Sequence, residues 1–334
     1  MNTWDWTGQR WTKFALAKKW PTEMAFKPSP ILATRIAGLE LSSPLIAAAG
    51  TAGVVDELAD VMDLNILGAI TTKSITPESR EGNAPWRLIQ TNAGMLNAIG
   101  LANPGLEIFA RDYAPKAARL PCRVIGSAAG HSADEFARVA AGLIHCGMSA
   151  VELNVSCPNT STGRLHGGDP QSLSQLIKEV RPHVPTGKLW IKLPPDGPTV
   201  ALAAAAIEAG ADALTMCNTY PAMKIDPVTR RPVLSNGQGG LSGPAIHPII
   251  VRLVYEVYKN VAKAANIPII GLGGILNWQD AAELIVAGAS AVSMGTAFFV
   301  DPTIPKAVST GLTKWCQQQG VKNISELVGA AHVA

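Results

Sequence analysis

Residues 149–157 read SAVELNVSC, a run of apolar and β-branched residues that ends in a cluster of polar side chains. Such a run is typical of a strand buried on both faces, as in a parallel sheet. Asp169 and Pro170 follow, and they are a helix start signal because aspartate caps a first turn and proline is tolerated within it. This part of the chain therefore predicts one strand–helix unit of a parallel sheet.

Seven further apolar runs have the same character, and each run is followed by a stretch with helical patterning. Eight strand–helix pairs favour a (β/α)8 TIM barrel over a doubly wound open sheet, which normally has fewer strands. The predicted strands are residues 44–50, 67–74, 122–130, 149–157, 189–194, 212–218, 267–274 and 290–295. The predicted helices lie near residues 54–64, 104–119, 132–147, 170–181, 198–210, 243–265, 277–288 and 302–318.

Some segments lie outside these units. We predict that residues 34–334 form the barrel domain, with a hairpin at 34–44 covering its bottom and a long functional loop at 219–242 inserted after the sixth strand. Residues 1–33 form an extension that is rich in tryptophan. Two interpretations of this extension stay open: it packs across the barrel, or it is an amphipathic segment that docks on a partner or a membrane surface.

The composition excludes several classes of function. A net charge of +3 over 334 residues, with no long basic run, argues against nucleic-acid binding. The five cysteines include no CxxC pair, so we predict neither a metal site nor an iron–sulfur cluster in this chain. Widely spaced cysteines and the lack of a secretory signal or long apolar run favour a cytoplasmic protein and make membrane insertion unlikely on composition alone.

Lysines and glycines at the predicted strand ends indicate an anion site. The carboxyl ends of barrel strands carry the active site in TIM-barrel enzymes. Lys73 and Lys192 each end an apolar run, and paired residues 273–274 (GG) and 295–296 (GT) follow the last two strands, where barrels commonly bind phosphate. The alternative for either lysine is a side chain that extends from the strand end into water.

Asparagines and one cysteine form the second candidate group. Asn97, Asn154, Asn159 and Asn218 would all face the barrel mouth, and amides suit a flat ring with alternating N–H and C=O groups, such as a pyrimidine. A single asparagine there could equally cap its own turn. Cys157 lies just past a strand end before a proline, and a thiol with a pKa of ~8.5 can act as a base. Most strand cysteines are structural, as we expect mainly for Cys122, Cys146 and Cys217.

Together these residues resemble the dihydroorotate dehydrogenase family. The matching motifs run in order from about residue 34 to residue 300, and the second of them is most similar to the class 1B catalytic subunit. They are TTKS (71–74), AGMLNAIGLANPG (93–105), VELNVSCPN (151–159), IKL (191–193), NT (218–219), GGLSGPA (239–245), GLGGI (271–275) and MGTA (294–297).

The resemblance implies oxidation of dihydroorotate to orotate in pyrimidine biosynthesis, with FMN as the cofactor. Cys157 would be the general base, and a hydride would pass from the substrate to the flavin. The substrate would contact Lys73, Asn97, Ala98, Ile99, Gly100, Leu101, Asn154, Asn159, Asn218 and Thr219. FMN would contact Ala49, Gly50, Lys73, Ser74, Ser127, Asn154, Lys192, Cys217, Gly243, Gly273, Gly274, Gly295 and Thr296.

The chain departs from the family pattern in a few places. Ser127 stands where the family usually has asparagine, His247 stands where lysine is common, and the loop at 160–170 is shorter than the pattern. Class 1 enzymes share a homodimeric core, which the resemblance implies here. Class 1B enzymes add a second subunit that carries FAD and a 2Fe–2S cluster and passes electrons to NAD, whereas class 1A enzymes reduce fumarate, so the second subunit and the electron acceptor stay open at this point. Two alternatives stay open: a dihydropyrimidine dehydrogenase-like flavoenzyme acting on another pyrimidine, and a non-catalytic flavin-binding assembly subunit.

Overall fold

A computed structural model describes residues 25–156 and 167–332. The strands of this part of the chain are β1 (Thr34–Ile36), β2 (Leu39–Leu41), β3 (Leu45–Ala47), β4 (Ala69–Thr71), β5 (Leu88–Thr91), β6 (Gly94–Asn97), β7 (Arg123–Ala128), β8 (Ala150–Asn154), β9 (Leu189–Lys192), β10 (Ala213–Met216), β11 (Tyr220–Ala222), β12 (Ile225–Asp226), β13 (Arg231–Pro232), β14 (Gly239–Ser242), β15 (Ile269–Leu272) and β16 (Ala289–Met294).

Helices alternate with the longer strands. The α-helices of the described residues are α1 (Leu106–Ile108), α2 (Ala114–Ala117), α3 (Ala133–His145), α4 (Pro170–Val180), α5 (Thr199–Glu208), α6 (His247–Val257), α7 (Lys263–Ala265), α8 (Trp278–Ala287), α9 (Ala297–Val300) and α10 (Ile304–Gln318). Several begin where side chains cap them, as the sequence indicated. The Asp169 carboxylate accepts from two amides at the start of α4, and Asn277 and Asp280 form a capping box on α8.

The predicted TIM barrel is confirmed. Eight parallel strands close on themselves in the order β10-β15-β16-β3-β4-β7-β8-β9. Each barrel strand runs beside the next barrel strand along the chain because the connecting segment, which is usually helical, returns the chain to the same end of the sheet. The polar ends of the strands therefore meet at one mouth.

One predicted helix is wrong. Residues 54–64 do not form an α-helix; two short 3₁₀ segments, Glu57–Asp60 and Leu64–Ile66, take its place. The Glu57 carboxylate accepts hydrogen bonds from the amides of Val54, Val55 and Asp56. A side chain that binds the preceding backbone in this way competes with regular helical bonding, which the apolar pattern alone does not reveal.

The hairpin of β1 and β2 closes the bottom of the barrel. Its Ile36 and Leu41 side chains pack against one apolar residue from each barrel strand, including the fully buried Trp190. With the bottom filled by apolar side chains, any cavity must open at the opposite, carboxyl end of the strands.

The inserted segment after β10 builds a wall over the mouth. Strands β11 and β14 from this insertion pair with β6 and β5 in a four-stranded antiparallel sheet of order β11-β14-β6-β5. The loop predicted to be functional therefore joins the loop after β4 in one structure. The predicted division into an extension at 1–33 and a barrel at 34–334 stays a prediction, since residues 1–24 lie outside the described residues.

Candidate active site

A cavity of about 390 Å³ lies at the carboxyl ends of the barrel strands, beneath the four-stranded sheet. The sequence-predicted residues that line it are Ala49, Gly50, Lys73, Ser74, Asn97, Ile99, Gly100, Leu101, Asn154, Lys192, Cys217, Asn218, Thr219, Gly243, Gly273, Gly274, Gly295 and Thr296. Their roles in binding stay predictions, but the barrel brings them together from seven of its eight strand ends and from the sheet.

Two lysines enter this cavity from different strands. Lys192 ends β9 and is only 7% exposed, so its ammonium does not extend into bulk water. Lys73 lies across Gly50: a Cβ atom at position 50 would come within 3.2 Å of the Lys73 Nζ. Glycine at position 50 therefore lets the amine approach the backbone closely, and the cavity gains two positive charges.

A chain of hydrogen bonds orients the amides on one wall. The Asn218 Nδ2 donates to Asn154 Oδ1 at 3.0 Å, and the Asn154 Nδ2 donates to Ser74 Oγ at 3.3 Å. Ser74 Oγ is in turn 2.9 Å from Ser127 Oγ. Because both polar atoms of the Asn154 amide have partners, its orientation is set before any ligand binds, as precise recognition requires.

Backbone amides form the opposite wall. Among the described residues, the N–H groups of Gly274, Gly295 and Thr296 donate to no other backbone group. Gly274 has a φ of +72° and its neighbour Gly273 accepts at its carbonyl from His247 Nδ1, 3.1 Å away. Glycine loops with free amides are a recurring anion-binding arrangement, so this wall suits a phosphate group.

Two predicted residues lie away from the cavity. The Ala98 N–H donates to the Arg87 carbonyl at 2.8 Å, and Ala98 lines a neighbouring, more open cavity instead. Ser127 is fully buried behind Ser74 and reaches the cavity only through that hydroxyl. Cys157 and Asn159, the predicted base and one predicted substrate ligand, lie outside the described residues.

Further cavity residues were not among the predicted ligands, although three of them lie within the matching motifs. Five apolar side chains form a wall suited to a flat ring, and two further hydroxyls line the same space. Ser242 Oγ accepts from Thr296 Oγ1 at 2.7 Å and so joins the insertion to the loop after β16. These residues are Leu88, Met95, Ile246, Leu272, Phe299, Thr51 and Ser242.

Cys217 faces the same cavity but is not a candidate base. Burial raises the pKa of its thiol to about 12, although the nearby Lys192 charge opposes this rise. A thiol with such a pKa stays protonated at neutral pH and acts as a small apolar group.

The fold and the cavity define an α/β-barrel enzyme whose site combines an anion-binding wall with a wall of oriented amides. The sequence model of the family described as "Dihydroorotate dehydrogenase" matches residues 31–315. The chain belongs to the dihydroorotate dehydrogenase family, and the expectation from its motifs is confirmed. It is therefore an oxidoreductase of pyrimidine biosynthesis acting on dihydroorotate, and its family implies a flavin cofactor.

The similarity to curated relatives extends over nearly the whole length of each relative. The chain is 46% identical over 305 residues to "Dihydroorotate dehydrogenase B (NAD(+)), catalytic subunit" of Desulforudis audaxviator, which covers 90% of this chain and 97% of the relative. The protein of the same name from Desulforamulus reducens is 44% identical, with 90% and 99% covered. "Putative dihydroorotate dehydrogenase A (fumarate)" of Solibacter usitatus is 41% identical, with 90% and 98% covered.

Within residues 25–156 and 167–332, no helix has both the length and the apolar content that crossing a bilayer requires.

Proposed function

We propose that this protein oxidises dihydroorotate with FMN bound in the cavity at the barrel mouth. The observation that carries the proposal is the convergence in one cavity of two lysines, a fixed pair of asparagine amides and a wall of free backbone N–H groups. Each of these features fits a different part of the ligands: phosphate, flavin ring and substrate.

FMN fits the residues present. A volume of about 390 Å³ is within the range of ~300–1,000 Å³ for small-molecule sites. The amides of Gly274, Gly295 and Thr296 would bind the phosphate, and the apolar side chains would contact the ring. Asn154 and Lys192 would bind the polar edge of the ring, because they enter from adjacent positions on β8 and β9.

Bound FMN would supply the hydride acceptor, and the protein would supply position and charge. The Lys192 ammonium would stabilise negative charge near the ring. Since the Asn154 amide is fixed by Asn218 and Ser74, it would present one orientation to both ligands.

The substrate would lie on the side of Lys73 and the amides. The Lys73 ammonium would bind the carboxylate, with help from the backbone at Ile99 to Leu101, which lines the cavity. Asn97 and Asn218 would bind the ring amides. Cys157 would remove the proton and Asn159 would add a further contact, as the family resemblance implies for the residues outside the described part.

A partner subunit would take the electrons onward. The names of the Desulforudis and Desulforamulus relatives specify a catalytic subunit and NAD(+), which supports a second subunit here. We propose that this subunit carries FAD and a 2Fe–2S cluster and that two copies of the present chain form the core. Coexpression with a candidate subunit should give dihydroorotate-dependent NADH formation, and fumarate reduction by the chain alone would contradict this assignment.

The activity is tested by anaerobic titration. The purified protein should contain one FMN, and adding dihydroorotate should bleach the flavin absorbance while orotate forms in equal amount. Dihydrouracil serves as the matched control because it lacks the carboxylate that Lys73 would bind. Bleaching by dihydrouracil alone, or by neither compound, would refute the proposed activity.

A further inference from the structure

The barrel interior changes from apolar to largely polar between two successive layers of side chains. The bottom layer is apolar and takes one residue from each strand: Ile46, Ala69, Ile125, Ala150, Trp190, Ala213, Ile270 and Ala291. Because side chains alternate along a strand, the residue two positions further on faces the interior again, one layer nearer the cavity, and Ala48, Lys192 and Leu272 reach the cavity itself. That second layer consists of Ala48, Thr71, Ser127, Glu152, Lys192, Thr215, Leu272 and Ser293, and all eight are buried.

Two charged residues share this buried layer. Glu152 is 4% exposed and Lys192 is 7% exposed. A buried charge is strongly destabilising unless a partner compensates it. The layer therefore has a reason to hold both signs of charge rather than one.

Strand register places the carboxylate and the lysine in the same part of the barrel interior. Strand β9 lies between β8, which carries Glu152, and β10, which carries Thr215. Thr215 Oγ1 nevertheless donates to Glu152 Oε2 at 2.7 Å, so the carboxylate reaches across β9 inside the barrel. Lys192 is the β9 residue in register with Thr215, and it therefore lies where this hydrogen bond crosses.

The electrostatics agree with this geometry. Burial raises the pKa of Glu152, while the positive charge of Lys192 and the hydrogen bond from Thr215 both oppose that rise. Both opposing contributions come from groups that share this buried layer with the carboxylate: Thr215 by a hydrogen bond and Lys192 by its charge.

We propose that Glu152, held by Thr215, is a positioning residue that acts through Lys192. It keeps the lysine ammonium under the flavin ring, and as its counter-charge it limits how strongly the site favours the reduced, more negative flavin. This inference rests on the proposed function, because it assumes FMN in the cavity. The family resemblance implies no role for Glu152 or Thr215.

Removing the carboxylate should change the flavin's redox equilibrium. In Glu152→Gln the ammonium would act without its counter-charge, and we expect the ratio of affinities for reduced over oxidised FMN to rise about tenfold. For a two-electron couple this corresponds to a midpoint potential higher by ~30 mV. The potential of full-length, FMN-loaded protein is measured at pH 8 against reference dyes, because burial raises the pKa of Glu152 and the counter-charge requires the ionised carboxylate.

Ser293→Ala is the matched control, since Ser293 is a buried, uncharged member of the same layer that does not line the cavity. In Ser293→Ala the ratio of affinities for reduced over oxidised FMN should stay within twofold of the wild-type value. A Glu152→Gln protein whose flavin midpoint potential is unchanged or lower than that of wild type would overturn the inference. Removing a buried negative charge makes the electrostatic potential at the flavin more positive, and this must favour the reduced, more negative form.

Thr215 supplies an independent test if the glutamine variant does not fold. Thr215→Val keeps the shape but removes the donor that holds the Glu152 carboxylate in place, so the counter-charge is less well positioned and the midpoint potential should increase by a smaller amount. Thr215→Ser restores the donor and should restore the wild-type potential. An unchanged potential in Thr215→Val overturns the inference by itself. A wild-type protein that binds no FMN, or is not bleached by dihydroorotate, instead refutes the proposed function.

Discussion

Gly274→Ala should weaken FMN binding far more than the same change at another glycine with equal backbone geometry. Gly274 has a φ of +72° and Gly320 a φ of +69°. Alanine in this left-handed region costs ~1–2 kcal/mol at either site. A Cβ atom at position 320 would meet nothing within 4 Å, so that cost is the whole expected effect there.

At position 274 the new Cβ would also overlap the backbone of α6. It would lie 2.5 Å from the His247 Cβ, 2.9 Å from its Cα and 3.0 Å from its N. These atoms cannot rotate away as a side-chain tip could, so the loop or the helix start must move, at ~1–3 kcal/mol for overpacking. The total is therefore about 2–5 kcal/mol for Gly274→Ala and about 1–2 kcal/mol for Gly320→Ala.

The displaced loop should also lose phosphate contacts. One hydrogen bond to a charged group contributes ~1.5–3 kcal/mol, so the Kd for FMN should rise roughly 10- to 100-fold in Gly274→Ala. Urea unfolding of the apoproteins gives the stability change, and quenching of FMN fluorescence during titration gives Kd. The reasoning is refuted if the two variants bind FMN within twofold of each other, or if Gly320→Ala is destabilised as much as Gly274→Ala.

The remaining predictions concern the substrate wall, the base and the folded state. Cys157→Ala should slow flavin reduction by dihydroorotate about 10²–10⁴-fold in anaerobic stopped flow. In the control variant Cys146→Ala, the flavin should be reduced at the wild-type rate. Equal rates of flavin reduction in both variants would exclude Cys157 as the base. Asn218→Ala removes the donor to Asn154 Oδ1 and should raise KM for dihydroorotate about tenfold, for a loss of ~1.4 kcal/mol; an unchanged KM in steady-state assays would contradict its role. Because burial raises the pKa of Glu152, its contribution to stability is fully present below the ordinary carboxyl pKa of ~4.3 and is lost as pH rises through the raised value. The free energy of unfolding of apo Glu152→Gln should therefore increase relative to wild type as pH rises from ~4.3 to the raised pKa, and the difference should stay constant at higher pH. A pH-independent difference would show that the carboxyl titrates normally.

Much of the candidate site could be predicted from the sequence because TIM-barrel geometry converts order along the chain into position. Once the strand ends at Lys73, Asn154 and Lys192 are assigned, the closed sheet brings them to one mouth. The same reasoning does not reveal which backbone groups already have partners. Ala98 belongs to a matching motif, but its amide is already bonded to Arg87 and so has no donor to offer a ligand.

The sequence by itself determined the strand–helix alternation, the barrel and the family, because apolar periodicity, helix caps and ordered motifs are local properties of the chain. Only the tertiary structure decided that Glu152 and Thr215 meet across β9 and that strands from residues 219–242 pair with the loop after β4. It also decided that residues 54–64 form two 3₁₀ segments in place of an α-helix. These features depend on which strands become neighbours and on which polar groups burial forces into partnership. Neither the pairing of distant strands nor the partners of buried polar groups can be read from residues close together in the chain.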